Sequence, residues 1–203
     1  MEKKQTQMSN REKIINSAIT LFSLKGYEAV TMREIAAQVG IKAASIYNHF
    51  SGKEAILNEI TRLFGVELNE NVYPAFDFRQ EDGLVGFIEK TSDAMDCFFS
   101  QPINAEIGDI LLKEQFHNNT VRLFLLRELI EKPREAIATC FEQLMKNGQM
   151  RQLDSMLVAK EYHAFFIYEF YENALSKGMG IVSSRALFER NEHIRLFILH
   201  YAL

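Results

Sequence analysis

The stretch from Thr31 to Phe50 constrains the fold of this chain more than any other part of the sequence. Thr31 and Glu34 have the spacing of a capping box, which begins a helix. Gly40 is expected to end that helix, because glycine adopts the left-handed conformation of a C-terminal cap without a Cβ clash. Ala43 to Phe50 predicts a second short helix after a tight turn. Two short helices joined in this way form a helix-turn-helix, whose second helix enters the DNA major groove.

A further helix precedes this motif. Ser9 and Glu12 form another capping box, and the apolar residues that follow at helical spacing stop at Gly26. We expect this first helix to pack across the two helices of the motif, forming a three-helix head. The sequence therefore predicts a DNA-binding domain at residues 8–68, with the helix-turn-helix at residues 31–50.

Charge is distributed unevenly along the chain. Residues 1–57 hold eight basic and five acidic residues, a net charge of +3. The remaining residues hold 15 basic and 22 acidic residues, a net charge of −7. A basic head on an acidic body is typical of a protein that presents its head to phosphates. The pattern supports double-stranded DNA as a partner of the head.

The head also resembles the TetR family of bacterial transcriptional regulators, over about residues 9–64. The run of Tyr47, any residue, His49 and Phe50, followed three positions later by Lys53, is its most diagnostic part. The other matching residues are Thr31, Ile35, Ala36, Val39, Gly40, Ile41, Ile46, Asn48 and Leu57. The resemblance implies a sequence-specific DNA-binding protein.

The resemblance also implies which side chains meet DNA. The residues expected at the bases, in the leading turn of the second motif helix, are Lys42, Ala43, Ala44 and Ser45. Those expected at the phosphates are Thr31, Tyr47, Asn48, His49 and Lys53. The family more often has a small hydroxyl residue at position 42 and glycine at position 44, so the operator sequence does not follow from the resemblance.

The rest of the chain predicts an all-α body at residues 69–203, giving about nine or ten helices in total. A long helix from about residue 53 to Tyr73 links head and body, and a loop follows to Gly83. The further helices are predicted near residues 84–100, 103–117, 119–131, 133–147, 155–177 and 184–202. Pro133 suits the first turn of a helix, but it can instead kink one longer helix.

The last two predicted helices carry more apolar surface than one helix face needs. The apolar residues are Val158, Tyr162, Phe165, Phe166 and Tyr168 on the first, and Leu187, Ile194, Phe197, Ile198 and Tyr201 on the second. Helix-turn-helix proteins normally bind DNA as two-fold dimers. We therefore expect a homodimer that pairs the helices near 155–177 and 184–202 of each protomer, and the resemblance implies the same arrangement.

Aromatic residues are concentrated in the body, where 14 of the 16 phenylalanines follow residue 57. Periodicity alone favours an ordinary packed core, whereas the resemblance implies a cavity for a small effector. The candidate lining residues are Phe98, Phe99, Phe116, Phe124, Phe141 and Phe166. No charged cluster specifies the ligand, so an apolar or amphipathic small molecule is expected.

These features together predict a homodimeric repressor that a small effector releases from a palindromic operator. Two alternatives are a helical protein-interaction module without DNA binding and a helical-bundle metalloenzyme. The enzyme is disfavoured because Glu114 and His117 form the chain's one Glu-x-x-His pair, whereas a bundle carboxylate site needs two. We expect no cofactor and no enzymatic activity.

The sequence also bears on the cell compartment. No signal peptide and no membrane-spanning run is recognisable, which predicts a cytoplasmic protein that does not enter the membrane. Cys97 and Cys140 lie beside phenylalanines and are expected to be buried thiols, with a regulatory disulfide as the less favoured alternative.

Overall fold

The structure is a computed structural model that describes residues 8–177 and 186–203. Over these ranges it is helical, without a β-strand, and the all-α prediction is confirmed. The α-helices are α1 Asn10–Lys25, α2 Met32–Val39, α3 Lys53–Asn71, α4 Gly83–Ser100, α5 Pro102–Glu114, α6 Asn119–Phe124, α7 Lys132–Lys146, α8 Ser155–Lys177 and α9 Ala186–Tyr201. The first two positions of the last predicted helix, 184 and 185, lie outside the described residues.

The second helix of the predicted motif is shorter than expected. The sequence predicts a helix from Ala43 to Phe50, but the structure has a single 3₁₀ turn at Ser45–Asn48. The Ile46 carbonyl accepts from both His49 N and Phe50 N, at 3.0 and 3.1 Å, so the segment ends after about one turn. Short segments favour this tighter hydrogen-bonding pattern, which is frequent where a connection is brief.

Helices α6 and α7 are joined without a break by a π-helical segment, Leu125–Glu131. The helices predicted near 119–131 and 133–147 are thus joined into one helical stretch, and Pro133 lies in the first turn of α7, as expected. Proline lacks an N–H, and its ring crowds the carbonyl four residues before it. A π-helical segment is a wider turn that accommodates such a disturbance within a continuous helix.

One compact unit contains the described residues up to Glu67 together with Phe99–Leu125. Ile14, Ile35 and Ile46 are buried at its centre, and α1 packs against both α2 and α5. Helices α5 and α6 therefore share a unit with the N-terminal head. The sequence did not suggest this grouping, and the predicted division at residues 68 and 69 stays a prediction.

The other compact unit contains Leu68–Phe98 and the described part of residues 126–203. Its core is aromatic: the Phe141 ring contacts the rings of Phe87, Tyr162 and Phe197 at centroid distances of 6.3, 5.9 and 5.6 Å. The α7 and α8 helices form the most extensive helix pair of this unit. Burial of such aromatic surface dominates the stability of a helical core.

The two cysteines lie in different environments. Cys140 is buried, as predicted, and burial raises the pKa of its thiol. Cys97 is exposed, so its predicted burial is wrong. Its neighbour Phe98 takes the buried position, because successive helical residues point about 100° apart. Neither cysteine is part of a disulfide within the described chain.

None of the helices in residues 8–177 and 186–203 is both long enough and apolar enough to cross a membrane.

Candidate nucleic-acid interface and effector cavity

The start of α2 is fixed by hydrogen bonds between Thr31 and Glu34. The Glu34 carboxylate accepts from the Thr31 backbone N and Oγ1, both at 2.8 Å, and the Thr31 hydroxyl accepts from Glu34 N. Lys25 also donates to this carboxylate, at 2.9 Å. The Lys25 and Thr31 hydrogen bonds lower the pKa of Glu34 to about 2. The predicted capping box is therefore present, and the Thr31 hydroxyl is hydrogen-bonded to Glu34.

The turn after α2 depends on Gly40, which has φ +79° and ψ 29°. This left-handed conformation lets Ile41 N donate to the Ala36 carbonyl, at 3.0 Å, and reverses the chain. Beyond the turn, Ile46 and Phe50 are buried at 0% and 5% exposure. Their burial holds the short 3₁₀ turn against the rest of the head.

The residues around these two anchors face solvent. Tyr47 is 57% exposed, so it is not mainly a packing residue. Ser45 is half-buried, and its N–H donates to the Lys42 carbonyl at 2.8 Å, in place of a side-chain cap. The other exposed residues are Lys42, Ala43, Ala44, Asn48 and His49. The DNA-contacting residues predicted between Lys42 and His49 thus lie together on one short, accessible segment.

Lys53 is placed differently from the others. Its Nζ donates to the backbone carbonyls of Tyr27 and Glu28, at 2.6 and 3.2 Å, and its side chain is only 20% exposed. The ammonium also lies 4.3 Å from the centroid of the Tyr27 ring. These contacts tie the start of α3 to the loop between α1 and α2. The role predicted for Lys53 at a phosphate stays a prediction, and the structure gives it an internal role.

Two arginines near this surface were not predicted. Arg33 is exposed in the first turn of α2, where a positive helix end favours phosphate. Arg11 contacts the Phe50 ring at 4.8 Å and donates to Glu59 on α3, at 2.8 Å. Position in the first turn of a helix is the sequence signal that can identify Arg33. No local signal reveals the pairing of Arg11, because Glu59 is 48 residues away.

The six phenylalanines predicted to line an effector cavity are divided between the two compact units. Phe99 and Phe124 contact the Phe64 ring in the unit that contains the head, and Phe116 is 71% exposed in that same unit. The others, Phe98, Phe141 and Phe166, belong to the second unit. Their role with an effector stays a prediction.

A small cavity lies within the second unit, between residues of α4, α7 and α8. Its volume is about 20 Å³, room for about one water molecule. Of the six predicted phenylalanines, Phe166 lines it. The remaining lining residues are Phe76, Thr91, Ser92, Met95, Pro133, Ile137, Tyr162 and His163. The lining residues come from four separate stretches of the chain, so no local sequence pattern indicated this set.

Exposed apolar residues form a stripe on α8 and another on α9. The α8 stripe repeats at helical spacing and consists of Leu157, Tyr168, Tyr171 and Leu175. The α9 stripe continues past the helix end and consists of Leu196, Leu199 and Leu203. The residues from which the sequence predicted a dimer surface differ: among them Val158, Tyr162, Phe197 and Tyr201 are buried in their own protomer. Of the others, Tyr168 is exposed and Phe165, Phe166, Ile194 and Ile198 are half-buried, while the Leu187 side chain lies outside the described part of the chain.

Comparison with known sequences places the head in a recognised group. Residues 14–60 match the family described as bacterial regulatory proteins, tetR family. A 49-residue segment is 51% identical to IcaR, the negative transcriptional regulator of the biofilm operon icaADBC in Staphylococcus aureus strain Newman. That segment is 24% of this chain and 26% of IcaR, so the match spans about a quarter of the relative's length.

Comparison with solved structures extends the likeness over nearly the whole chain. SmeT, the repressor of the Stenotrophomonas maltophilia multidrug efflux pump SmeDEF, superposes with a TM-score of 0.72 and 15% identity, covering 98% of this chain and 92% of SmeT. A transcriptional regulator from Saccharomonospora viridis, in complex with choline, superposes with a TM-score of 0.69 and 20% identity, covering 95% and 97%. At these identities the likeness shows the fold.

Proposed function

We propose that this chain, which belongs to the TetR family of bacterial regulatory proteins through residues 14–60, is a cytoplasmic, homodimeric repressor of transcription and not an enzyme. The observation that carries the proposal is the exposed turn around Lys42 and Tyr47, held by buried Ile46 and Phe50. Such a turn can enter the major groove, where lysine donates to guanine and methyl groups meet thymine.

Two copies are required for specific binding, because a head of this size contacts few bases. Two-fold helix-turn-helix proteins place their half-sites about 34–36 Å apart on DNA. The apolar stripes of α8 and α9 support a homodimer through these helices, since clusters of exposed apolar residues favour interaction sites. The operator is accordingly a palindrome.

Release of the operator is the proposed response to a small apolar or amphipathic effector. The ligand would bind the body and shift α3, which begins at Lys53 in the head and ends at Asn71. That shift would change the spacing of the two heads so that both no longer fit successive grooves. A ligand moves such an equilibrium from 1:99 to 99:1 only with about 5.5 kcal/mol of preference for the released state.

Selection of bound duplexes from a random pool by the purified protein tests this function. We expect an enriched palindrome whose binding weakens steeply as salt rises. With that palindrome as probe, Lys42→Ala should relax the base preference, whereas Arg33→Ala should weaken binding to all sequences alike. Lys146→Ala, an exposed lysine on α7, is the matched control and should change neither property.

The alternative of a helical interaction module predicts a different outcome of the same experiment. No sequence would be enriched, and Lys42→Ala would have no effect on the weak binding that remains. Addition of cell extract to the selection separates this outcome from a repressor that needs a co-ligand, since a co-ligand would restore the enrichment.

A further inference from the structure

Unpaired polar atoms are concentrated around the cavity of the second unit. Across the described residues, the buried side-chain nitrogen or oxygen atoms without a hydrogen-bond partner are Arg134 Nε, Tyr162 Oη, His163 Nδ1 and His193 Nε2. Tyr162 and His163 line the cavity and are 2% and 4% exposed. Arg134 lies close enough for its charge to lower the pKa of His163, and the His193 ring lies 6.1 Å from the Tyr162 ring. Buried polar atoms are normally paired, so their grouping at one place calls for an explanation.

These atoms have in common that they can donate a hydrogen bond. Arginine Nε–H is a donor only, tyrosine donates its phenolic proton, and a neutral histidine donates from one of its two nitrogens. The nearby Thr91 hydroxyl already donates to the carbonyls of Phe87 and Ile88, at 2.9 and 3.1 Å. Arg134 Nε can only donate, and the Tyr162 hydroxyl and the His163 imidazole can donate as well as accept, so acceptor oxygens on a ligand can pair with all three.

Arg134 is the charged group that acts on His163, and the Glu169 carboxylate near Phe166 is paired with Arg190. None of the residues that line the cavity is acidic, and no ion pair of Arg134 occurs within residues 8–177 and 186–203. Burial and then the charge of Arg134 lower the pKa of His163 to about 4, so its imidazole is neutral near pH 7. A buried anion is tolerated where a cation and hydrogen-bond donors compensate it, and Arg134 is the cation in place here.

We propose that this cavity binds a small aromatic carboxylate, with the carboxylate oxygens accepting from Arg134, Tyr162 and His163 and the ring packed against Phe76 and Phe166. The aromatic and aliphatic walls match the ring, and the unpaired donors match the carboxylate. The site must widen, because about 20 Å³ does not hold an aromatic ring. Met95, an unbranched and half-buried side chain, is the part of the wall most able to move.

This proposal names the chemical class of the effector. It rests on the proposed function only in that binding of the effector would release DNA. Binding is tested on the free dimer by titration calorimetry with benzoate, benzyl alcohol and benzylamine at one ionic strength. These probes share a ring and differ in charge. We expect benzoate to bind at least about tenfold more tightly than benzyl alcohol, as hydrogen bonds to a charged group imply, and benzylamine not to bind.

Variants separate the proposed contacts from general effects of charge. Arg134→Met and Tyr162→Phe should each weaken benzoate binding by about tenfold or more, and Arg134→Met should abolish the preference for benzoate over benzyl alcohol. The control is Arg127→Met, at an exposed position of the same unit, and it should bind benzoate like the unmodified protein. If Arg134→Met does not fold, Tyr162→Phe decides alone.

Equal binding of benzoate and benzyl alcohol, tightest binding of benzylamine, or unchanged benzoate binding in Tyr162→Phe would overturn the carboxylate site. Failure of the proposed function has a separate signature: benzoate binds as described, but no duplex is selected from the random pool. A carboxylate site without DNA binding would refute the repressor and leave the ligand class intact.

Discussion

The Tyr73 hydroxyl donates a hydrogen bond of 2.6 Å to the backbone carbonyl of Glu128, in the π-helical segment before α7. In a π-helix this carbonyl would accept from the residue five positions later, which is Pro133 and has no N–H. Tyr73 supplies the donor that the proline lacks. Lys132 completes the cluster, with its Nζ 3.8 Å from the Tyr73 ring centroid and within 3.3 Å of the Glu128 carboxylate.

Removal of this hydroxyl should therefore destabilise the protein. We expect Tyr73→Phe to lower the free energy of unfolding by about 1–3 kcal/mol, the cost of a buried carbonyl without a partner. In a Pro133→Ala background the restored N–H can reach the Glu128 carbonyl, so the same change should cost less. Denaturant unfolding of the unmodified protein, Tyr73→Phe, Pro133→Ala and the double variant measures the difference. An equal cost in both backgrounds would contradict the link between Tyr73 and Pro133.

Two roles of Lys53 can be distinguished by experiment: internal hydrogen bonding, as in the structure, and a phosphate contact, as the sequence predicts. Because its Nζ donates to the Tyr27 and Glu28 carbonyls, Lys53→Met should lower the free energy of unfolding by about 1–3 kcal/mol. The slope of log affinity against log salt on an operator duplex should not change. A phosphate contact predicts the reverse: unchanged stability, and a slope less steep by about 0.9. Unfolding and salt titration of the same variant decide between the two roles.

Stability should fall in acid partly through Glu59. Hydrogen bonds from Arg62 and from Arg11 lower the pKa of Glu59 from 4.5 to about 2. A depressed pKa means that the unfolded chain takes up the proton first, so the stabilisation is present above pH 4.5 and is lost as the pH falls toward 2. Its size is at most about 3 kcal/mol.

Unfolding of Glu59→Gln as a function of pH checks this. The variant should be less stable than the unmodified protein at pH 7. It should also lose less stability between about pH 5 and pH 3, because it lacks the carboxylate that takes up a proton on unfolding. Glu70→Gln, at an exposed position of the same helix, is the control. Parallel curves for Glu59→Gln and the unmodified protein would show that the Arg11–Glu59–Arg62 cluster does not contribute.

The α8 stripe should determine the oligomeric state. Tyr168 and Leu175 are exposed on one face of α8, so a glutamate at either position places a charge in the proposed dimer interface without disturbing the core. We expect Leu175→Glu to sediment as a monomer and to bind a palindromic duplex far more weakly, while its unfolding stays cooperative. Leu24→Glu, an equally exposed leucine on α1, should remain a dimer. A dimeric Leu175→Glu would place the interface elsewhere.

Much of the head was predictable because its signals are local. A capping box joins residues three positions apart, and a glycine with positive φ acts on its own helix end, so α1 and α2 begin and end as Ser9, Gly26, Thr31 and Gly40 indicate. The burial of Ile46 between two exposed runs also agrees with the sequence, since Ile46 is the one branched aliphatic residue between Lys42 and His49. The length of the turn around Ile46 did not follow from the sequence, because a segment so short has no period to read.

Other features depend on residues far apart in the chain. Nothing near Lys53 in the sequence reveals that the carbonyls of Tyr27 and Glu28 surround its ammonium group. The α8 helix has apolar residues on two sides, and periodicity cannot say which side packs on α7 and which remains exposed. For that reason Tyr162 was expected at a dimer surface and lies instead in the core.

Local sequence was sufficient to predict a helical chain, the ends of its first helices, and a basic head that carries a turn suited to DNA. Those properties arise from hydrogen bonds and periodicities within a few residues. Three other features depend on the folded chain: α5 joins the unit of the head, Tyr73 pairs with the carbonyl that Pro133 leaves open, and unpaired polar atoms lie near Tyr162. Burial and pairing are set by which distant surfaces meet, and no local pattern encodes that choice.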